Sequence, residues 1–304
     1  MKKLLCVLLV VFAVLSLLTG CETKKDSDKI SIVTTVFPCY DFARAIAGDK
    51  AEITMLVRPG SESHSFEPTP ADMKKTADSD IFILIGGESE DWAQRLADAN
   101  EKSDKINVVL KDSVTLICAD DHTGHEGHAH EYDEHIWTSP QNAVKMCRAV
   151  CDALCAKDSQ NKDFYEANFE KYKNEILGLD KEFKTLSQNE NKTLVFGDRF
   201  PFLYFAKEYS FEYKAAFPGC TEQTEPDINT LKKLIEFIKK ENISTVFYTE
   251  FSSQKTADML VSETNAKKQL FHSCHNVTRE EWEKGETYVS LMKNNLEALK
   301  NALK

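Results

Sequence analysis

The sequence predicts an α/β protein with two lobes joined by a long linking helix, and three observations predict it. Short apolar stretches alternate with helical stretches early in the chain, and the same alternation restarts in its last third. Between these blocks, residues 141–187 have a helical pattern almost throughout. Roughly 280 of the 304 residues remain after the N-terminal segment, and one hydrophobic core rarely holds that many.

The N-terminus has the features of a secretory signal. Two lysines precede an apolar run from Leu4 to Leu18, which is short for a membrane-spanning helix. The sequence Leu-Thr-Gly-Cys, ending at Cys21, resembles the lipobox of bacterial lipoproteins, whose cysteine is acylated. An ordinary signal peptide with a chance cysteine is the alternative. We expect residues 1–20 to be removed and residues 21–29 to form a tether anchored to the outer face of the bacterial cell membrane.

The first lobe is predicted from its apolar runs and its helix breakers. Ile30 to Val36 is short and β-branched, as strands are. Ile81 to Ile85 is a continuous apolar run, which is typical of a strand covered on both faces by helices. Pro70 suits the first turn of a helix. The predicted elements are strands at 30–36, 51–57 and 81–85, and helices at 41–47 and 69–77.

The middle of the chain and the second lobe follow the same logic. Apolar residues recur at helical spacing through the middle segment: Phe164, Phe169, Tyr172, Ile176, Leu179 and Phe183. The second lobe is predicted to contain strands at 193–196, 245–248 and 269–271, and helices at 204–209, 230–241, 256–264 and 288–303. The predicted division is an N-terminal lobe at 30–145, a helical linker at 146–190 and a C-terminal lobe at 191–304.

The net charge bears on the possible partners, and the cysteines bear on metal binding and disulfides. The net charge of −11 argues against a nucleic-acid partner, whose phosphates need a basic surface. We also expect the protein to be a monomer. Cys147, Cys151 and Cys155 repeat every four residues, which favours a buried apolar stripe over a metal site. Cys220 and Cys274 fall in loops of an exported protein and are predicted to form a disulfide, unless Cys274 is a thiolate ligand.

The histidines indicate metal chemistry. Four of the eight crowd an acidic, Gly-containing stretch at 119–134, which we interpret as a weak metal-collecting loop, with an inert solvated insertion as the alternative: His122, His125, His128 and His130. The others stand in loops next to predicted strands or helices: His64, His135, His272 and His275. Open α/β sheets bind ligands in loops beyond their strand ends, so these histidines are candidates for a metal site in the cleft between the lobes.

Longer motifs carry a specific resemblance. The segment from Pro59 to Pro70 has the pattern Pro-Gly-x-x-x-His-x-x-Glu-Pro-x-Pro, and the segment from Asp133 to Pro140 has the pattern Asp-x-His-Ile-Trp-x-Ser-Pro. Residues 37–48 and 287–296 match an opening strand–helix unit and a terminal helix. Over nearly its whole length the chain resembles the zinc/manganese family of solute-binding lipoproteins. The resemblance implies His64 and His135 as the first two metal ligands, and an acidic histidine-rich loop is typical of members that transport zinc.

The chain departs from this family in its second half. The family often presents its third ligand in Phe-His-Asp-x-Phe, where this chain has Phe-Gly-Asp-Arg-Phe at 196–200. The usual fourth ligand is an acid in a Leu-Asp-Pro segment, where this chain reads Leu-Phe-His-Ser at 270–273. We therefore expect His272 to ligate the metal, with Asp198 and His275 as rivals. Alternatively, Arg199 neutralises Asp198 in an ion pair.

The resemblance implies a protein that captures Zn²⁺, delivers it to the membrane permease of an ABC importer and catalyses no reaction. Zinc is expected rather than Mn²⁺ because the candidate ligands are mostly imidazoles, whereas manganese favours carboxylate oxygen. One alternative is a secreted zinc hydrolase. The chain lacks the His-Glu-x-x-His motif of such enzymes, so Glu67 or Glu250 would have to serve as the general base. The other is a manganese-binding or adhesin-type surface lipoprotein.

Overall fold

The computed structural model describes residues 29–99, 104–118, 132–188, 193–217 and 226–303. Several predicted features lie outside these ranges, namely the signal segment, Cys21, Cys220 and the clustered histidines His122, His125, His128 and His130. In the part of the chain that is described, no helix combines the length and the apolar character needed to cross a membrane.

The N-terminal lobe is a parallel sheet flanked by helices. Its strand order is β2-β1-β3-β4, and all three pairings are parallel. The central strand β3 is buried at every position, as its unbroken apolar run predicts. The elements are β1 (Ile30–Thr34), α1 (Phe37–Ala47), β2 (Ala51–Met55), α2 (Pro70–Asp78), β3 (Ile81–Leu84), α3 (Asp91–Asp98) and β4 (Ile106–Val109).

The C-terminal lobe repeats this arrangement. Its strand order β6-β5-β7-β8 is again second-first-third-fourth along the chain, and again all pairings are parallel. The lobes share this topology although the sequence shows no internal repeat. The elements are β5 (Thr193–Phe196), α6 (Leu203–Tyr209), β6 (Glu212–Ala215), α7 (Ile228–Lys240), β7 (Thr245–Tyr248), α8 (Lys255–Ser262), β8 (Lys267–Leu270), α9 (Arg279–Lys284) and α10 (Tyr288–Ala302).

Two helices, rather than one continuous helix, connect the sheets. They are α4 (Pro140–Lys157) and α5 (Lys162–Leu186), separated by a short 3₁₀ turn. Helix α5 packs against α4, against α1 and against the last helix α10. Cys147 and Cys151 are fully buried in the main core, so α4 carries the apolar stripe that its four-residue spacing predicts.

A buried carboxylate ties three of these helices together. Asp41 of α1 accepts hydrogen bonds from the Tyr172 hydroxyl of α5 and from the backbone N–H of Tyr288 in α10. Its other oxygen lies 2.6 Å from Nε of Arg44. Because a buried carboxylate is costly unless it is paired and hydrogen-bonded, this network fixes the N-terminal lobe against the helix that ends the C-terminal lobe.

The shared topology places the ends of the strands at the cleft. In each lobe the chain leaves its first strand for one neighbour and then crosses to the other side, which creates a switch point beside β1 and beside β5. His64 follows β2 and His135 follows β4, whereas Asp198 follows β5, Glu250 follows β7 and His275 follows β8. The fold therefore brings the candidate side chains to the carboxyl ends of the two sheets.

Candidate metal centre

His64 lies in a loop that is held by the opposite lobe. Gly60 adopts φ +81°, a conformation that favours glycine, and its N–H donates to Val277 O at 2.7 Å. The Asn276 side-chain amide donates to Arg58 O at 2.9 Å and to Ser61 O at 2.8 Å. The Pro-Gly turn is thus clamped onto the segment that contains His275.

His135 is fixed by a short polar framework. Asp133 Oδ1 accepts a hydrogen bond from the backbone N–H of His135 at 2.9 Å and lies 3.1 Å from its Nδ1. The following 3₁₀ turn leads into α4, which Ser139 caps by accepting from Asn142 N at 3.1 Å. Trp137 in that turn donates its indole N–H to Ser273 O at 2.8 Å, so the turn is also hydrogen-bonded to the opposite lobe.

His275 reaches the cleft because the chain turns sharply just before it. Cys274 has φ +60°, in the left-handed region that residues other than glycine rarely adopt. His275 N then donates to Ser273 Oγ at 3.1 Å, and His275 O accepts from Phe37 N at 3.2 Å. The side chain enters the cleft, where its Nδ1 lies 3.1 Å from Ser63 Oγ.

The structure brings His64, His135 and His275 together, and we call them the three-histidine cluster. One ligand-type nitrogen from each ring lies within 4.8 Å of the others. The ring centroids are 5.9 Å apart for His64 and His135, 4.9 Å for His64 and His275, and 5.6 Å for His135 and His275. Two rings come from the N-terminal lobe and one from the C-terminal lobe, which is the arrangement needed to hold one ion between them.

Each ring of the cluster has a polar partner at Nδ1. Asp133 stands beside His135, Ser63 beside His275, and Glu134 Oε1 lies 3.4 Å from Nδ1 of His64. Partners of this kind orient metal-binding histidines and raise their basicity. With Nδ1 engaged, Nε2 is the nitrogen with which each ring would bind an ion.

Burial keeps His275 in its metal-binding form. The pKa of His275 is held well below its usual range by burial, and the neighbouring His64 and His135 lower it further. A neutral imidazole is the form that coordinates a metal ion. His275 is therefore ready to bind at neutral pH without first losing a proton.

His272, the C-lobe ligand favoured from the sequence, does not join the cluster. Its Nδ1 accepts the backbone N–H of Cys274 at 2.9 Å, and its Nε2 lies 3.5 Å from Glu281 Oε1 on α9. Its backbone N–H and C=O both bond the side chain of Asn295 in α10. The left-handed turn at Cys274 directs His272 into the C-terminal lobe and His275 out of it, which reverses the expected order.

Asp198 lines the cleft but stands outside the cluster. Its Oδ2 accepts from Thr249 N at 2.9 Å and from Thr249 Oγ1 at 2.6 Å, so this oxygen joins β5 to β7. The alternative ion pair with Arg199 is not formed, because among the described residues no carboxylate lies within 4.0 Å of that guanidinium. Asp198 acts in this structure as a link between strands.

The structure has no room for a side chain at Gly197, the position at which the family pattern has its third ligand. A Cβ at this position would lie 2.6 Å from the Cα of Ala257 in α8, a distance that real side chains do not reach. A histidine therefore fits at 197 only if the helix moves away from the sheet.

We expect Gly197→Ala to lower the free energy of unfolding by about 1–3 kcal/mol, because the added methyl overpacks the contact between β5 and α8. Urea denaturation measures this change. Gly178→Ala is the matched control, since no described residue comes within 4 Å of a Cβ at that exposed position of α5, and alanine favours helix there by about 0.5–1 kcal/mol. Equal stability of Gly197→Ala and the unchanged protein would contradict the close packing.

The cysteines stand apart from the cluster. Cys274 is buried and forms no disulfide with another described cysteine; burial raises the pKa of its thiol, and its Sγ lies 3.8 Å from His272 O. Its disulfide with Cys220 stays a prediction. Cys151, Cys155 and Glu166 form a second group of possible ligands. However, burial raises the pKa of Cys151 to about 12, and Arg148 donates to both oxygens of Glu166 at 2.7 and 3.1 Å.

The three-histidine cluster opens into a polar cavity of about 420 Å³ between the lobes. Its C-lobe wall carries hydroxyl groups, two acids and two bases, among them Asp198, Arg199, Glu250 and Lys255. The side chain of Glu250 is buried, and its two oxygens accept from the N–H and the hydroxyl of Ser273. Glu67 does not line this cavity.

Comparison with known proteins places the chain in a family. It is 32% identical to the zinc-binding lipoprotein AdcA of Streptococcus pneumoniae over 93% of its length, and it spans 58% of that longer protein. It is 31% identical to the high-affinity zinc uptake system protein ZnuA of Bacillus subtilis, covering 91% of this chain and 88% of the relative.

A solved structure confirms the predicted fold of two α/β lobes. The Zn(II)-bound ZnuA-like domain of Streptococcus pneumoniae AdcA matches with a TM-score of 0.75 at 30% identity, covering 90% of this chain and 99% of that one. The family model described as "Zinc-uptake complex component A periplasmic" matches residues 32–302. The chain therefore belongs to the ZnuA family, as the resemblance of its motifs predicts.

Proposed function

We propose that the protein captures Zn²⁺ in the cleft between its lobes and delivers it to the membrane permease of an ABC importer, without catalysing a reaction. The observation that carries this proposal is the three-histidine cluster, with one nitrogen from each ring within 4.8 Å of the others. The names of the two relatives, a zinc-binding lipoprotein and a zinc uptake system protein, support it. The chain matches 58% of the length of AdcA, so only the matching part of AdcA supports the proposal.

The ligand chemistry favours zinc over manganese. Three imidazole nitrogens suit Zn²⁺, whereas Mn²⁺ prefers carboxylate and carbonyl oxygen. The two carboxylates on the C-lobe wall of the cavity already accept hydrogen bonds within the protein, Asp198 from Thr249 and Glu250 from Ser273. A hard cation would find few available oxygens here.

The same geometry weakens the hydrolase alternative. A zinc hydrolase needs a general base beside its metal-bound water. Glu250 is in the cleft, but both of its oxygens accept hydrogen bonds from Ser273, and Glu67 lies outside the cavity. We further propose that a lipid on Cys21 holds a monomer at the outer face of the membrane, and that the clustered histidines at 122–130 gather zinc weakly.

The purified protein is expected to bind one Zn²⁺ per chain and to become more stable when it does. Because zinc binds the folded state, a free zinc concentration about 1,000 times Kd raises the free energy of unfolding by roughly 4 kcal/mol. Metal analysis after dialysis gives the stoichiometry, and denaturation with and without zinc gives the stabilisation. Peptidase and esterase assays on the same zinc-loaded sample test the alternative, and hydrolysis that chelators abolish would favour it.

A further inference from the structure

We propose that the cleft binds Zn²⁺ together with a small anionic chelator that bears carboxylates, and that Arg199 receives one of these carboxylates. This inference rests on the proposed function, because it requires zinc at the three-histidine cluster. It specifies the form in which the metal is bound.

The first argument is the number of ligands. Zinc in proteins is usually four-coordinate, and the cluster supplies three neutral nitrogens. Position 197, where a fourth donor would follow β5, is a glycine with no room for a side chain. Asp198 uses Oδ2 to hold Thr249, and Glu250 uses both of its oxygens to hold Ser273. Among the described residues, the cluster thus leaves one coordination position for a ligand from outside the protein.

The second argument is charge. Three neutral imidazoles bring no negative charge of their own to the ion, and Asp133 and Glu134 stand at Nδ1 of His135 and His64 rather than at the nitrogens left for the ion. An anionic ligand at the fourth position would supply that charge. A water molecule would do so only after losing a proton.

The third argument is the space beside the cluster. The cavity of about 420 Å³ is far larger than a metal ion and falls within the usual range of small-molecule sites, about 300–1,000 Å³. Its C-lobe wall offers hydroxyl donors that suit a polar ligand: Thr249, Ser252, Ser253 and Thr256.

The fourth argument is an available guanidinium. Arg199 is half-buried on this wall, and within the described ranges it makes no ion pair. A planar guanidinium recognises a carboxylate through two parallel hydrogen bonds. Lys255, the exposed first residue of α8, adds a second positive charge to the same wall. The acids of the cavity oppose an anion, but Asp198 and Glu250 are hydrogen-bonded and Glu62 stands at the exposed rim.

The test uses citrate as the probe. Radiolabelled citrate is dialysed against the protein with and without one equivalent of zinc. We expect about one citrate per chain, retained only when zinc is present. Arg199→Gln is expected to weaken citrate retention at least about tenfold, which corresponds to the loss of a charge-assisted contact. Arg95→Gln is the matched control, because Arg95 is an exposed arginine on α3 that does not line the cavity.

Three results would overturn the inference: citrate that is not retained, citrate that is retained without zinc, or equal retention by Arg199→Gln and Arg95→Gln. A fourth would be an Asp198→Asn protein whose zinc affinity in citrate-free buffer drops as far as that of His275→Ala, because Asp198 would then be the fourth ligand. Failure of the proposed function is distinguishable, since the protein would then bind no zinc in citrate-free buffer.

Discussion

His275→Ala is expected to lower the zinc affinity by about 100-fold or more, whereas His272→Ala lowers it less than about tenfold. Removing one of three ligands from a closed site removes a large part of the binding free energy, and each factor of 100 corresponds to about 2.7 kcal/mol. His272 instead bonds Cys274 N and lies beside Glu281, away from the cluster. Competition against a chromophoric zinc chelator measures both affinities.

His272→Ala has its own expected effect, which makes the comparison informative. Its loss leaves the buried N–H of Cys274 without an acceptor, so the free energy of unfolding should fall by about 1–3 kcal/mol. His64→Ala is the positive control for ligand loss. If His272→Ala abolished tight binding and His275→Ala did not, the geometry of the 272–277 segment would be wrong.

The zinc affinity is expected to fall by about 100-fold between pH 7.5 and pH 5.5. The ion binds neutral imidazoles and must displace protons at acidic pH, and the reference pKa of histidine is about 6.5. His275 resists protonation because burial holds its pKa well below that value. Competition titrations at each pH check this. A constant affinity would indicate that the histidines do not dominate the site.

In the metal-free protein, His275 is expected to make the free energy of unfolding depend on pH. Because the pKa of His275 is lower when the chain is folded, the unfolded state binds more protons below about pH 6.5, and stability is lost as the pH falls through that value. Burial raises the pKa of Glu90 to about 7, and this acts in the opposite direction, stabilising the protein as the pH falls. Comparing urea unfolding of the unchanged protein and His275→Asn at pH 7.5 and 5.5 isolates the histidine. We expect its contribution to be about 1 kcal/mol.

The central strands could be predicted from the sequence, whereas two of the four edge strands, β4 and β6, could not. Strands β3, β5 and β7 lie inside their sheets, so both faces are covered and the sequence shows compact apolar runs. The edge strand β6 reads Glu-Tyr-Lys-Ala, with exposed residues alternating with half-buried ones, and β4 buries only one of its four residues. Such strands are defined by the neighbour with which they pair, which a local pattern does not reveal.

In the candidate site, too, some positions could be predicted from the sequence and others could not. His64 and His135 lie in motifs whose glycine, aspartate and serine also build the local turn, so both positions could be predicted. The choice between His272 and His275 depends on the left-handed turn at Cys274 and on contacts with the N-terminal lobe. No glycine or proline marks that turn in the sequence. The difference between the expected place of His272 and its place in the structure thus arises from long-range packing.

Diffraction at the zinc absorption edge, on crystals of the zinc-loaded protein, tests the central claim most directly. One strong anomalous peak is expected between the lobes, bonded at about 2.0–2.1 Å to a nitrogen of each ring of the three-histidine cluster. A peak beside His272, or at the Cys151–Cys155 pair, with none at the cluster, would contradict the account.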